Sequence, residues 1–301
     1  MRFAFWPLPT HDFDTMKSLG LHVEKTGWDR IYLADHFMPN AENTNAPWPE
    51  CWTTMAALAA VIPRVDIGTL GTGNTYRHPA VLAKMAATVD HISGGRAVLG
   101  LGSGWQENEH EKYGIPFYDV PGRLKRLDEA CQVIQKLFTE DSVTFDGAYY
   151  QLKDAPLVPK PVQSPMPLLI GGGGEKVTMK IAAKYATDWN VWGTVATMKH
   201  KNAVLDAHCE TLGRDPASIK RSAVALMFLT EDDALAKKMN DAAAGGGQAA
   251  IAGNANAVRD TVAAYVEAGV DELIVPDFTM GEDKLKILDT LINDVFAEFR
   301  D

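Results

Sequence analysis

An apolar segment that ends in glycines is followed directly by four side chains able to do chemistry. Residues 97–101 form an unbroken apolar run, typical of a strand buried on both faces, and Gly100, Gly102 and Gly104 free the backbone for close approach to a ligand. The next residues supply an aromatic ring, two amides and a carboxylate: Trp105, Gln106, Glu107 and Asn108. Because parallel α/β proteins bind ligands at the carboxyl ends of their strands, the pattern favours a binding site, although a strand turning tightly into a loop also fits it.

A second polar pair, Asp35-His36, follows another short apolar strand. A histidine titrates near neutral pH, so His36 could donate a proton to a substrate or anchor it; a lone histidine is also often structural. The Asp35 carboxylate could accept hydrogen bonds from sugar-like hydroxyls, and it could equally cap a helix.

A run of four glycines, residues 171–174, precedes Glu175 and Lys176. Such a loop could bring backbone N–H groups and a helix N-terminus to a phosphate, with Lys176 as the countercharge; the alternative is a structural turn. The run is neither a Walker loop nor a G-x-G-x-x-G fingerprint, so a nucleotide site is not indicated.

Several other chemistries lack a sequence signature. The eight histidines show no metal-ligand spacing, so we expect no metal site. Ser103 lies outside any Gly-x-Ser-x-Gly elbow and is a poor nucleophile candidate. Trp6, Trp105 and Trp192 follow predicted strands and would suit a planar ring, although each could instead pack at the rim of the core.

Composition limits the partners and the cellular compartment. The net charge of −10 without a basic run argues against nucleic acid or an anionic membrane surface as a partner. No apolar stretch approaches the roughly 18 residues of a membrane span, and residues 1–7 are too short an apolar run for a signal peptide. Three widely spaced cysteines favour a reducing compartment without disulfides, so we expect a cytoplasmic protein.

The elements that must position these residues alternate between strand and helix along the chain. The pattern predicts eight strands, at residues 2–6, 31–33, 65–70, 97–101, 168–170, 190–192, 222–229 and 273–276. Eight strands each followed by a helix match a (β/α)8 TIM barrel better than an open sheet, and in a barrel the strand ends collect around one mouth. We therefore expect one α/β domain over residues 1–301.

Two segments interrupt the alternation. Asp146-Gly147 lies between β-forming residues, which predicts a β-hairpin insertion after the fourth helix, within residues 139–167. Residues 231–256 are predicted to be a loosely specified insertion, in which the glycines at 245–247 break any helix.

The ordered motifs resemble the luciferase-like flavin monooxygenase superfamily, and most closely its coenzyme F420-dependent oxidoreductase branch. The motifs are Ala34-Asp-His36, Gly68-Thr-Leu-Gly-Thr72, Tyr76-Arg-His-Pro79, Arg96-Ala-Val-Leu-Gly-Leu-Gly-Ser-Gly-Trp105, Phe145-Asp-Gly-Ala-Tyr-Tyr-Gln-Leu152 and Pro167-Leu-Leu-Ile-Gly-Gly-Gly-Gly174. The resemblance implies a TIM barrel with the hairpin insertion, a bound deazaflavin (F420) or flavin (FMN), and usually a homodimer.

The resemblance also implies roles for single residues. Asp35 would bond the ribityl hydroxyls of the cofactor, and His36 would face its reactive carbon as a donor or substrate anchor. Thr69-Leu70 falls where the family often has a non-proline cis peptide against the ring. The remaining cofactor contacts would come from Thr72, Ser103, Gly104 and Asn108 at the ring edge and side chain, and from Gly173, Gly174, Lys176 and Val177 at the phosphate.

One position departs from the sugar-phosphate dehydrogenases of this branch. They carry a catalytic glutamate directly after the Ser/Thr-Gly pair, where this chain has Trp105. That difference argues against sugar-phosphate oxidation, and Glu107 stands two residues further on. The candidate catalytic residues are therefore His36, Trp105 and Glu107.

Three functions follow as hypotheses. The first is hydride transfer between F420 and a small organic substrate, with planar or apolar character suggested by the many Trp and Tyr residues. The second is an FMNH2-dependent monooxygenase that uses oxygen and receives reduced cofactor from a separate reductase. The third is a cofactor-binding protein without turnover.

Overall fold

The computed structural model describes residues 1–300, and its centre is a closed barrel of eight parallel strands. In chain order the strands are β1 (Arg2–Trp6), β2 (Arg30–Leu33), β3 (Asp66–Thr69), β4 (Thr72–Gly73), β5 (Ala97–Gly102), β6 (Ser142–Asp146), β7 (Gln151–Pro156), β8 (Leu168–Gly171), β9 (Asp188–Trp192), β10 (Lys220–Val224), β11 (Leu226–Leu229), β12 (Ala250–Gly253) and β13 (Glu272–Pro276). The barrel runs β1, β2, β3, β5, β8, β9, β10, β13 and back to β1, with the short β4 beside β5. The predicted (β/α)8 fold is confirmed.

Helices surround the barrel. They are α1 (Phe13–Thr26), α2 (Cys51–Val61), α3 (Pro79–Ser93), α4 (Glu107–Tyr113), α5 (Val120–Thr139), α6 (Thr178–Tyr185), α7 (Val195–Thr211), α8 (Asp233–Gly245), α9 (Ala255–Glu267) and α10 (Lys284–Thr290), which continues as a π-helical turn, Leu291–Val295. Local signals set their ends: in α1 the Asp12 carboxylate accepts from Thr15 N, and Gly27, at φ 93°, ends the helix in the left-handed region.

Alternation along the strands divides the core into two layers. In β1, Phe3 and Phe5 pack outward among the helices, while Ala4 and Trp6 point into the barrel. The interior layer is otherwise formed by Tyr32, Ala34, Leu70, Val98, Leu169, Val224 and Ile274. The barrel is therefore filled by side chains, and Trp6 lies at its carboxyl-end mouth.

Buried charges close the opposite end of the barrel. Arg30 Nη1 lies 3.2 Å from Glu272 Oε1 and 3.5 Å from Asp188 Oδ1, and donates to the Tyr32 hydroxyl at 2.6 Å. Burial raises the pKa of Glu272, against the attraction of Arg30. Because these residues come from β2, β9 and β13, the cluster ties together strands far apart in sequence.

Both predicted interruptions are present, but one has a different structure from that predicted. β6 and β7 pair as an antiparallel hairpin around Asp146-Gly147, as expected. Residues 231–256 are not loosely structured: they contain α8 and β12, and the prediction of no helix was wrong because Gly245 ends α8 instead of breaking it. The seventh predicted strand, 222–229, is also two strands, since the chain leaves the barrel at Ala225 and β11 pairs with β12.

The described part of the chain also bears on other expectations. All three cysteines are free and buried. Within residues 1–300 no cluster of three or more His, Cys, Asp or Glu side chains is placed to hold a metal ion. None of the helices there has the length and apolar character needed to cross a membrane.

Candidate active site

A cavity of about 400 Å³ opens at the carboxyl ends of the barrel strands. Its lining comes from seven strand-end segments: Trp6, His36, Leu70, Gly71, Thr72, Gly73, Tyr76, Gly102, Ser103, Gly104, Trp105, Leu169, Gly171, Gly172, Asn190, Trp192 and Val224. The volume is in the range of sites for small molecules and cofactors. Barrel closure thus brings together residues that the sequence separates by more than 200 positions.

A buried glutamate, which the sequence analysis missed, fixes the orientation of His36. The Glu109 carboxylate accepts from His36 Nδ1 at 2.8 Å and from the backbone N of Phe37 at 2.8 Å, and the Tyr76 hydroxyl also donates to it. His36 lines the cavity, and its Nε2 makes no hydrogen bond within residues 1–300. The carboxylate therefore holds the tautomer in which Nδ1 carries the proton and leaves Nε2 for a ligand.

The same contacts keep Glu109 ionised. The Glu109 side chain is fully buried, and burial alone would raise its pKa, but the hydrogen bond and positive charge of His36 and the bonds from Tyr76 and Phe37 lower it below the usual value of 4.5. The Glu109 carboxylate thus lies directly behind the imidazole, and Nε2 is the nitrogen left to accept a proton.

Asp35 lies behind the cavity wall instead of at its surface. The Arg77 guanidinium donates to both of its oxygens, at 2.6 and 3.1 Å, and to Glu50 at 2.6 Å. Burial raises the pKa of Asp35 despite the opposing charge of Arg77. With both oxygens occupied and no exposure, Asp35 is not among the lining residues in this structure.

The segment after β3 forms one side of the cavity. The non-proline cis peptide lies between Leu70 and Gly71, one residue beyond the Thr69-Leu70 position that was expected. Thr72 Oγ1 accepts from Trp52 Nε1 at 3.0 Å, which ties this segment to α2. Thr69 faces away from the cavity and its hydroxyl donates to Gly100 O at 2.8 Å.

Two tryptophan rings, those of Trp6 and Trp192, form another part of the cavity wall. The Trp6 ring centroid lies 6.0 Å from that of Trp192 and 5.1 Å from that of Phe278. Trp6 is 9% exposed, and its Nε1 is buried without a hydrogen-bond partner. A buried donor without an acceptor carries a desolvation cost.

The rim residues divide into two groups. Trp105 is 61% exposed and lies edge-on to His36, with ring centroids 5.3 Å apart. Glu107 and Asn108 open instead onto an outer surface pocket, because α4 begins at Glu107 and turns these side chains away. Ser103 and Gly104 line the cavity.

The glycine loop lies only partly at the mouth. Gly172 lines the cavity, whereas Lys176 and Val177 line a groove of about 600 Å³ between α5 and α6 on the outer surface. Glu175, which the sequence analysis did not single out, binds Lys201 Nζ at 2.6 Å, and that amine also donates to Gly173 O at 2.8 Å. Gly173 and Gly174 line neither the cavity at the barrel mouth nor the outer groove.

The fold and the site together define a ligand-binding (β/α)8 barrel with an oriented histidine at its mouth. The family model for luciferase-like monooxygenases matches residues 1–247, and the chain belongs to this family. The resemblance seen in the motifs is thereby confirmed.

Two curated relatives carry F420-dependent names. The F420-dependent glucose-6-phosphate dehydrogenase of Amycolatopsis mediterranei is 39% identical over 168 residues, or 55% of this chain and 48% of that protein. The enzyme of the same name from Kineococcus radiotolerans is 33% identical over 226 residues, covering 73% and 66%. The matches thus span between about half and two thirds of the relatives' length.

Solved structures share the fold over the whole chain. An F420-dependent secondary alcohol dehydrogenase, solved with an F420-acetone adduct, superposes with a TM-score of 0.86 at 22% identity, covering 100% of this chain and 99% of that one. The F420-dependent tetrahydromethanopterin reductase of Methanopyrus kandleri superposes with a TM-score of 0.83 at 20% identity, covering 99% of each chain. At these identities the likeness shows the fold.

Proposed function

We propose that the protein is an oxidoreductase that transfers a hydride between coenzyme F420 and a small organic substrate. The observation that carries the proposal is the His36–Glu109 pair, which aims an available imidazole nitrogen into a strand-end cavity. The names of the curated relatives support F420 as the cofactor, and FMN is the alternative within the family.

The lining fits a flat ring system. Six of its seventeen residues are glycines, so the backbone of the cavity wall can approach a planar group closely. Leu70, Leu169 and Val224 offer apolar contact to its faces. The bound ring would lie among these residues, and the glycine loop at 171–174 with its neighbour Lys176 is our proposed holder of the phosphate.

The residues of the chain supply positioning and proton transfer. When bound, F420 accepts or donates a hydride, and a substrate oxidised in this way also releases a proton. His36 Nε2 takes that proton, or returns it in reduction, while the hydrogen bond to Glu109 keeps the imidazole in place. Trp105 covers one edge of His36 and limits its contact with water.

Cofactor titration followed by anaerobic turnover tests the proposal. Binding of F420, with a change in its absorbance when substrate is added without oxygen, is the expected result. Tight FMN binding with oxygen-dependent product would support the monooxygenase with a separate reductase instead. Binding without turnover on a broad panel would support a non-catalytic cofactor-binding protein.

We also predict that the chain forms a single domain, that the protein is a homodimer and that it is cytoplasmic. Light scattering on the eluting peak of a sizing column measures the mass of the assembly. A mass twice the 32.8 kDa of one chain is the expected result.

A further inference from the structure

The groove between α5 and α6 lies on the outside of the barrel and has a volume of about 600 Å³. Part of its lining is apolar: Leu124 comes from α5, Ile181 from α6 and Tyr149 from the turn between β6 and β7. The Val177 side chain, which also lines the groove, is 44% exposed. The groove therefore has both the volume and the apolar surface that are typical of small-molecule sites.

The same groove collects an unusual number of cations. Four lysines line it: Lys125, Lys176, Lys180 and Lys184. Apart from Lys184, these amines have no hydrogen-bond or ion-pair partner among residues 1–300. Lys176 belongs to the loop that we propose as the holder of the cofactor phosphate. Lys125 and Lys180, one from each helix, are therefore the two amines left for another anion.

The two carboxylates of the groove are already engaged. Asp128 Oδ1 accepts from Lys184 Nζ at 2.9 Å. Glu129 holds the hairpin turn, because its two oxygens accept from the backbone N of Ala148 and of Tyr149, each at 2.9 Å. Neither carboxylate pairs with the remaining lysines, so the groove is locally positive in a chain whose net charge is −10.

We propose that this groove is a second ligand site, for a free amphiphile with one anionic head and a short apolar chain, such as a medium-chain fatty acid. Lys125 and Lys180 bind the head, and the chain packs on Leu124, Val177 and Ile181. Charge-assisted hydrogen bonds hold the head, and removal of apolar surface from water holds the chain. The groove is separate from the mouth cavity, so this inference goes beyond the proposed hydride transfer and does not depend on it.

A larger acidic partner fits the groove less well. One turn of a helix, about 10 Å across and 5.4 Å long, fills roughly 420 Å³, so the groove would hold less than two turns of a partner helix. The net charge of −10 also opposes the approach of an anionic bilayer. A small molecule in free solution meets neither obstacle.

Three probes with the same chain test the charge of the head. Calorimetric titration of the wild type with octanoate, 1-octanol and octyltrimethylammonium, all below their micelle concentrations, measures the dissociation constants. We expect octanoate to bind about tenfold more tightly than octanol, and the cation to show no measurable binding. Absence of octanoate binding overturns the inference, and so does equal affinity for octanol or for the cation.

Two single variants locate the bound octanoate. Lys125→Met and Lys180→Met keep a long side chain and remove the charge, so each should raise the dissociation constant of octanoate about tenfold and leave that of octanol within about twofold. Lys199→Met removes an exposed lysine of α7 outside the groove, and as the control it should change neither constant. Far-UV circular dichroism checks that the three variants are folded.

Unchanged octanoate binding in both groove variants would place the ligand elsewhere and overturn the inference. An acidic amphipathic helical peptide is titrated in parallel. If it binds the wild type but not Lys180→Met, while octanoate binds neither, the groove is a protein-docking site and the amphiphile is overturned.

Discussion

The orientation of His36 depends on Glu109 at the scale of single residues. A neutral amide in place of the carboxylate would keep the shape and remove the charge behind the imidazole. For Glu109→Gln we expect kcat to fall about a hundredfold while the dissociation constant for F420 stays the same. Stopped-flow absorbance and fluorescence titration measure the two quantities. An unchanged kcat would show that His36 works without this partner.

The lowered pKa of Glu109 gives a second residue-scale prediction. A carboxyl whose pKa is lower in the folded than in the unfolded chain stabilises the fold above the unfolded value, near 4.5, and this contribution is lost as pH falls through the folded pKa. The difference in free energy of unfolding between the wild type and Glu109→Gln should therefore shrink below about pH 4.5. Urea denaturation from pH 3.5 to 7 measures it, and a difference that grows toward acid would contradict the assignment.

The sequence indicated His36 correctly as a mouth residue but directed attention to the wrong neighbour. Glu107 was chosen because it stands two residues beyond the position where related sugar-phosphate dehydrogenases carry a catalytic glutamate, and Glu109 was not considered. Glu107 and Glu109 are two positions apart in α4, which is about 200° around the helix, so their side chains face opposite sides. Only the docking of α4 decides which of them meets the histidine, and no local pattern contains that information.

At the scale of elements, the backbones of β3 and β5 approach each other closely at Gly100. A Cβ on Gly100 would lie 1.8 Å from Thr69 O, whereas on Gly102 its nearest neighbour would be Gly171 O at 3.9 Å. Gly100→Ala should therefore lower the free energy of unfolding by at least about 2 kcal/mol, and Gly102→Ala by less than about 1 kcal/mol. Equal effects in urea denaturation would show that this approach is not as tight as described.

Strand and helix positions were largely predictable, because β1, β2 and β5 are short apolar runs between clear helix ends. The structure of residues 231–256 was not predicted correctly, because the glycines were given more weight than the helix signals in the same segment. Asp232 accepts from the backbone N of Ala234 and Leu235, and alanines fill the turns that follow. No sequence pattern marks Ala225 as the point where the chain leaves the barrel. A continuous apolar run looks the same whether it stays in one sheet or continues in another.

At the scale of the whole molecule, the charge cluster around Arg30 joins strands from both ends of the chain. Arg30→Met would remove the buried guanidinium between Glu272 and Asp188, and should cost about 3 to 5 kcal/mol of stability. Lys237→Met, which removes one side of an exposed ion pair with Asp241, should change stability by less than about 0.5 kcal/mol. Chemical denaturation compares the two, and a near-neutral Arg30→Met would show that the cluster does not hold the barrel closed.

The account depends most on the barrel mouth being the cofactor site, and a crystal structure of the protein grown with F420 tests this directly. We expect the deazaflavin ring between the Leu70–Gly71 peptide and the Trp6–Trp192 wall, with His36 Nε2 facing its reactive edge. A ring bound elsewhere, such as the larger groove between α5 and α6, would contradict the account.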